Sequence, residues 1–358
     1  MPTQWQESVI REINPMTSRL KGAVIGCGFF AQNHLAGWQD IADVEIVAVC
    51  DLDIAKAKAA AEKFGIAHYT DDVNALFATH TLDFVDLPTT METHEALVAA
   101  AVAHHIPVIV QKPFAPDLDG CRRMVAMAQA ANVPLMVHED FRFQNVFRAA
   151  RKIIDSGELG ELTFGRLSWR TAIDVYSNQP YLIKVKRFMI MDVGIHLLDL
   201  ARFLFGDAHG VFCRTQQIKA GIAGEDAATI LLSHDNGATT VLDFSYASQR
   251  LPDPFPQTLV EIEGTAGTLL IGANQVITVH ANGQSREEKI AHDGRSWASE
   301  PWTQIQDSVV HTQRHFITCL RQNREPETSG RDSLLTYGLL EAAYLSASTA
   351  RQVQPERD

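Results

Sequence analysis

Positive charge is in short supply in this chain. Lys and Arg number 31 against 43 Asp and Glu, a net charge of −12, and no Lys/Arg block occurs. A phosphate backbone demands a concentrated basic surface, so no nucleic-acid partner is expected. Cysteine is also sparse. Cys27, Cys50, Cys121, Cys213 and Cys319 are odd in number, widely spread and without CxxC spacing. That pattern fits a reducing compartment and predicts neither a disulfide framework nor a metal site. No long hydrophobic run is present either: "ALVAAAVAHHIPVIV" is interrupted by His104, His105 and Pro107. No membrane span is predicted. The first twenty residues lack an apolar stretch of the kind an export signal carries, so a cytoplasmic location is expected. Repeats and low-complexity linkers are absent as well.

What is present is enough apolar material for two cores. A length of 358 residues with 46% hydrophobic side chains suggests two domains. From Lys21 to about His138, short β-branched runs such as "GAVIG", "VEIVAVCD", "FVDL", "PVIVQKP" and "PLMVHE" alternate with helical patterns. Strands apolar on both faces and separated by helices predict a doubly wound parallel sheet. After a helix near 144–156, strands dominate, and "DNG", "GTAG" and "NG" mark hairpin turns. A mostly antiparallel sheet is predicted there, followed by helix over about 304–352. The expected division is an extension over 1–20, a nucleotide-binding domain over 21–140 and a second α+β domain over 141–358. A C-terminal helix, about 333–350, is expected to pack back toward the first domain.

Gly26-Cys27-Gly28-Phe29-Phe30-Ala31 forms a GxGxxA directly after the first strand and at the start of the first helix. Gly26 permits the tight turn, Gly28 lets backbone approach a pyrophosphate, and Ala31 allows helix to pack on strand. Asp51 ends the second strand, where a ribose-hydroxyl acceptor belongs. With Leu52 beside it and no adjacent Arg or Ser, Asp51 would repel a 2′-phosphate. NAD is therefore expected in preference to NADP. The plainer alternative is a glycine turn with a helix-capping aspartate.

Ligands of an open α/β sheet bind beyond the carboxyl ends of its strands. Three segments fall there: "PTTMETH" (88–94), "QKPFAP" (111–116) and "HEDFRF" (138–143). Pro88, Thr89, Thr90, His94 and Gln111 join the candidate cofactor contacts. Lys112, held by Pro113, could stabilise a developing oxyanion or simply snorkel at the surface. The stretch "MDVGIHLLD" (191–199) threads charge through an apolar run. Asp192 and His196 at i, i+4, with Asp199 three residues further, could share one helical face. They read either as a satisfied piece of core or as an active site.

Taken jointly, GCGFFA, "VCD", "PTTMETH", "QKPFAP" and "DVGIHLLDLARFLFG" resemble the glucose–fructose oxidoreductase / inositol dehydrogenase family over nearly the whole chain. The resemblance implies an N-terminal Rossmann domain and a C-terminal domain with a large open antiparallel sheet. It implies Lys112, Asp192 and His196 as a catalytic trio: His196 the general base, Asp192 orienting it, Lys112 polarising the same oxygen. Gln111 departs from the family's usual glutamate, and Asp140 from its asparagine. The segment "YLIKVKRFMIM" (181–191) replaces a glycine-rich run and is expected to wall the substrate site. Arg142, Arg170, Tyr176, Lys186 and Arg187 are candidate substrate contacts, or equally surface charges.

The expected function is NAD-dependent oxidation of a sugar, inositol or related polyol. "GFFAQNHL", "IVQKPFAP" and "HEDFRFQ" are most similar to a sugar-oxidising branch with a lactone product. Two alternatives stay open: a non-catalytic NAD-binding sensor or co-repressor, and an isomerase or sugar–sugar oxidoreductase that keeps its cofactor. A homodimer or homotetramer built through the exposed sheet face is expected.

Overall fold

The computed structural model describes residues 19–357. The extension expected over 1–20, and the absence of an export signal read from it, fall almost wholly outside them. β1 (Leu20–Ile25), β2 (Val44–Cys50), β3 (His68–Thr70), β4 (Phe84–Leu87), β5 (Val108–Gln111) and β6 (Leu135–His138) form a parallel sheet in the order β3-β2-β1-β4-β5-β6. α1 (Ala31–Gln39) and α2 (Ile54–Phe64) cover one face. α3 (Val73–Thr79), α4 (Met91–Ala103) and α5 (Leu118–Ala130) cover the other. With both faces closed, every residue of β4, β5 and β6 is buried, which is why these strands read as unbroken apolar runs. Asp86, Gln111 and His138 are the polar exceptions.

Beyond α6 (Asn145–Asp155), a second sheet contains β7 (Leu162–Arg170), β8 (Ala208–Gln216), β9 (Ala227–His234), β10 (Thr239–Ser245), β11 (Leu259–Gly264), β12 (Gly267–Ile271), β13 (Val276–Ala281) and β14 (Gln284–Lys289). Its order is β14-β13-β12-β11-β7-β10-β9-β8, antiparallel except where β10 runs parallel to β7. A short helix α7 (Val175–Asn178) and α8 (Ile195–Phe205) connect β7 to β8. Leu167, Trp169, Leu242 and Phe244 point inward, and α8 packs on them closely enough that a Cβ at Gly194 would stand 2.8 Å from the Phe244 ring. The opposite face is open and carries Leu231, Val241, Leu259, Leu270 and Val276, all at least partly exposed.

The helical segment expected over about 304–352 consists of two helices, α9 (Thr303–Gln322) and α10 (Gly330–Thr349). Asn323 ends α9 in the left-handed region at φ 48°, and Pro326 follows. α9 lies on the α1 face, where Gln313 Nε2 donates to the His34 carbonyl at 3.0 Å. α10 lies on the α5 face, where the Tyr337 hydroxyl donates to the Ala115 carbonyl at 2.9 Å. Among the described residues no helix is long and apolar enough to cross a membrane.

Candidate active site

The β1–α1 loop has the shape a pyrophosphate needs. Gly26 sits at φ +102°, and a Cβ there would press on the Thr89 methyl at 2.6 Å. A Cβ on Gly28 would meet nothing within 4 Å, so the backbone is bare on its outer side. Asp51 Oδ2 accepts the Cys27 N–H at 2.7 Å and Oδ1 accepts that of Asp53 at 2.9 Å, fixing the carboxylate at the end of β2. Phe29 and Leu52 flank it with 81% and 88% of their surface exposed. Such bare apolar side chains beside a phosphate loop suit an adenosine. Phe30 sits partly buried at the start of α1, its ring edge-on to His34, and Ala31 is fully buried against the strands. Pro88, Thr89 and Thr90 follow β4, with Thr93 donating to the Thr89 hydroxyl at 2.8 Å.

Below the loop runs a buried chain of polar groups. Gln111 Oε1 accepts the Lys112 N–H at 2.6 Å, so its amide N–H donates to His34 Nε2 at 3.0 Å. The His34 proton must then sit on Nδ1, which donates to Asp86 Oδ2 at 2.8 Å, and Trp38 Nε1 donates to the same oxygen at 2.6 Å. Every member lies at a strand or helix position that sets where Lys112 begins.

Lys112 leaves the end of β5 and its ammonium donates to the Asp192 carbonyl at 2.9 Å and to Asp192 Oδ1 at 3.2 Å. His196 goes elsewhere. Its Nδ1 meets Glu139 Oε1 at 2.5 Å, and its ring stacks on Phe141 at 3.9 Å and 6°. Among the described residues its Nε2 has no hydrogen-bond partner, and its side chain keeps 6% exposure. Asp192 therefore holds the lysine rather than orienting the histidine, which corrects the role expected for it. Asp192 lies within a π turn, Ile190–Gly194, that leads into α8.

Burial, with the Lys112 charge second, pulls the His196 pKa down to about 3, so the imidazole is neutral. Burial pushes the Glu139 carboxyl up to about 7, with Lys112 and Arg142 opposing. Asp140 is likewise raised by burial, and accepts the Ser308 hydroxyl at 2.7 Å. Burial works against the Lys112 charge too, but Asp192 and Glu139 outweigh it and hold the ammonium above its ordinary range. Glu139, Asp140 and His196 offer donor atoms within 4.8 Å of one another. His196 Nδ1 and Glu139 Oε1 are committed to each other and Asp140 Oδ2 accepts from Ser308, an acid–imidazole network with an ammonium beside it.

Several expected contacts lie elsewhere. His94 is fully buried between the Phe114 and Thr89 carbonyls, at 3.0 and 3.2 Å, and braces the two loops from beneath. Arg142 is spent on Asp199, at 2.7 Å through Nε, and on Asp332 at 3.1 Å. It is a buried ion pair, and Asp199 accordingly faces Arg142 instead of His196. Arg170 lies on the outer face of β7 and pairs with Asp243 at 3.3 Å, because residues two apart share a face and its neighbour Trp169 points inward. Arg187 is held by Glu341 at 2.8 Å and over the Tyr344 ring at 4.1 Å. Tyr176 packs behind Phe188, ring centroids 5.9 Å apart, and Lys186 is exposed.

Three nearby residues were not singled out from the sequence. Glu139 lies in a strand-end segment that was flagged, without a role. Tyr246 follows β10 and its hydroxyl donates to Asp192 Oδ2 at 3.4 Å; burial and Asp192 lift its pKa well above the ordinary value. Tyr181, exposed within the 181–191 segment, feels the charges of Asp192 and Lys112. Two-residue parity from Phe244 would have put Tyr246 on the inner face.

Comparison with known proteins matches these two sheets to two models of one family. Residues 20–139 match the oxidoreductase family's NAD-binding Rossmann fold, and residues 147–270 the GFO/IDH/MocA C-terminal domain. The chain belongs to the GFO/IDH/MocA oxidoreductase family. It is 48% identical over 346 residues to a D-apiose dehydrogenase of Paraburkholderia graminis, spanning 97% of this chain and 92% of that protein. A D-apiose dehydrogenase of Rhizobium rhizogenes is 45% identical over 336 residues, 94% of this chain and 97% of the relative. The crystal structure of an Agrobacterium radiobacter oxidoreductase in complex with NAD+, L-tartaric acid and magnesium superposes with a TM-score of 0.92 at 45% identity, covering 94% of this chain and 98% of that one. The chain is an NAD-dependent dehydrogenase, and both the parallel sheet and the mixed, mostly antiparallel one are those of the family.

Proposed function

We propose that this dehydrogenase oxidises the anomeric hydroxyl of D-apiose to the lactone. The observation that carries the reading is the convergence of Lys112, paired to Asp192, and His196, paired to Glu139, at the carboxyl ends of β5 and β6. The full-length likeness to D-apiose dehydrogenases supplies the sugar. Gly26, Gly28, Asp51 and the bare backbone between them fit a pyrophosphate and a free ribose diol, while the Asp51 charge disfavours a 2′-phosphate. When bound, NAD supplies the acceptor for the carbinol hydrogen and its electron pair.

The chain's own groups do the rest. The Lys112 ammonium, anchored by Asp192, donates to the substrate oxygen and stabilises its developing negative charge. His196, neutral and with Nε2 free, accepts the hydroxyl proton. Phe141 and Glu139 hold the ring in one plane. Tyr246 and Tyr181 border the lysine, where a polar, partly stacking wall suits a small sugar. A cytoplasmic location and a homo-oligomer joined through the open sheet face complete the proposal; the apolar residues along that face support it.

The test is a panel of pentoses, hexoses and inositols with NAD or NADP, followed by absorbance of the reduced cofactor and by identification of the product. D-apiose with NAD should give the highest kcat/KM and a lactone. Turnover of none of them would favour a sensor. Sugar interconversion without net NADH would favour a retained cofactor.

A further inference from the structure

We propose that Glu139 is the positioning partner that sets the tautomer of His196, so that its ionisation decides whether the imidazole can accept the substrate proton. The proposal rests on the reading of His196 as the general base.

The geometry leaves little freedom. Nδ1 of His196 is committed to Glu139 Oε1 at 2.5 Å, and the ring cannot turn away because it lies flat on Phe141. Glu139 Oε1 is itself held by the Phe141 N–H at 3.2 Å. One proton is shared along this axis. With Glu139 ionised, it sits on Nδ1 and Nε2 presents a lone pair. With Glu139 protonated, the carboxyl O–H donates to Nδ1, the ring proton moves to Nε2, and the site offers a donor where oxidation needs an acceptor. The ring is neutral in both states, in keeping with a pKa of about 3, while the Glu139 carboxyl, at about 7, titrates near neutrality.

In the oxidative direction the substrate O–H bond breaks and its proton passes to Nε2. The Nδ1 proton passes to Glu139, and a C=O bond forms as the carbinol hydrogen leaves with its electron pair to the acceptor named above. The carboxyl then returns its proton to Nδ1 as Nε2 releases one to solvent, which restores the starting tautomer before the next turnover. Reduction of the carbonyl would use the protonated state.

Charged and polar groups face Glu139 from each element around it. Lys112 reaches it from β5, and Asp140 and Arg142 from the turn after β6. His196 and Asp199 face it from α8, with Asp192 nearby on the π turn bound to Lys112. α9 contributes the Ser308 hydroxyl, which is committed to Asp140.

The experiment compares wild type, Glu139→Gln and Glu139→Asp as NAD-loaded enzymes with D-apiose, reading kcat/KM against pH. Wild type should show an acidic limb near pH 7. Glu139→Gln should lose that limb and at least tenfold of the alkaline rate; Glu139→Asp should restore a limb. In parallel, 15N-histidine NMR of the wild-type holoenzyme should show the His196 proton exchanging between nitrogens at the kinetic midpoint, assigned against His196→Gln. An imidazolium on the acid side of that midpoint, a tautomer that does not change with pH, or an unaltered limb in Glu139→Gln would overturn the proposal. Should Glu139→Gln fail to fold, the wild-type NMR decides alone. An inactive His196→Ala beside an unaltered Glu139→Gln sinks only this inference, whereas a fully active His196→Ala sinks the general-base reading as well.

Discussion

The ring of His196 lies parallel to that of Phe141, 6° between planes and 3.9 Å between centroids. Phe141 is buried on the turn after β6, and His196 sits on α8, so the stack ties the two domains together at the proposed site of chemistry. Phe141→Ala removes the surface that fixes the imidazole plane. An aromatic pair of this kind is worth ~1 kcal/mol beyond its burial. The variant is expected to lose about tenfold in kcat while KM for NAD stays constant. Steady-state kinetics check it, with Phe141→Tyr expected to retain most of the rate.

Lys112 is surrounded by carboxylates that keep it charged, so the role proposed for it is electrostatic rather than basic. Lys112→Met deletes the ammonium at nearly constant volume. Loss of one such donor is expected to cost about 10²–10³ in kcat. NAD affinity, measured by calorimetric titration, should change little. Asp192→Asn, which leaves the lysine a carbonyl and an amide to bind, should cost less, ~10-fold. A Lys112→Met enzyme with normal kcat would remove the lysine from the chemistry.

Arg142 was expected to meet substrate, and its fate separates two outcomes cleanly. The guanidinium is buried and divided between Asp199 and Asp332. Removing one partner of a buried pair strands the other charge, at a cost of about 3–5 kcal/mol. Asp199→Asn should therefore lower the denaturant midpoint strongly, and the double change Arg142→Met, Asp199→Leu should recover much of it. A substrate contact would instead raise KM in Arg142→Met and leave stability alone.

These residues also show what the sequence could and could not reveal. The parallel sheet was legible because both-face burial leaves continuous apolar strands, and the phosphate loop because glycine spacing is dictated by local backbone. β14 was passed over: its six residues are all exposed and show no alternation, though the Asn282-Gly283 turn before it pointed to a partner strand. Lys112, Asp192 and His196 could be named, but not their pairing. That pairing depends on Glu139, 57 positions from His196, which an i, i+4 rule does not anticipate. Arg142 misled because a buried arginine and a ligand-binding one look alike until Asp199 and Asp332 are brought to it by α8 and α10.

The Glu139–His196 pair also makes a prediction about acid stability. A free imidazole takes up its proton near 6.5, but the folded His196 does not until about 3. Taken alone, this makes the unfolded state bind more protons between those values, so stability falls as pH drops through that window. Glu139 has the opposite sense: the folded carboxyl takes up a proton near 7, whereas the unfolded one waits until about 4.5. Together the folded pair gains one proton near 7 and the unfolded pair gains one near 6.5, so their difference is almost flat from 7 down to 4.5. Only below that does the unfolded chain bind the extra proton. Glu139→Gln removes the compensating carboxyl and leaves the histidine's loss uncovered from pH 6.5 downward. One proton corresponds to about 1.4 kcal/mol per pH unit, so the variant should lose roughly 2–3 kcal/mol relative to wild type between pH 6.5 and 4.5. Urea unfolding at a series of pH values measures this directly, and parallel curves for the two proteins would show that the carboxyl and the imidazole do not share a proton.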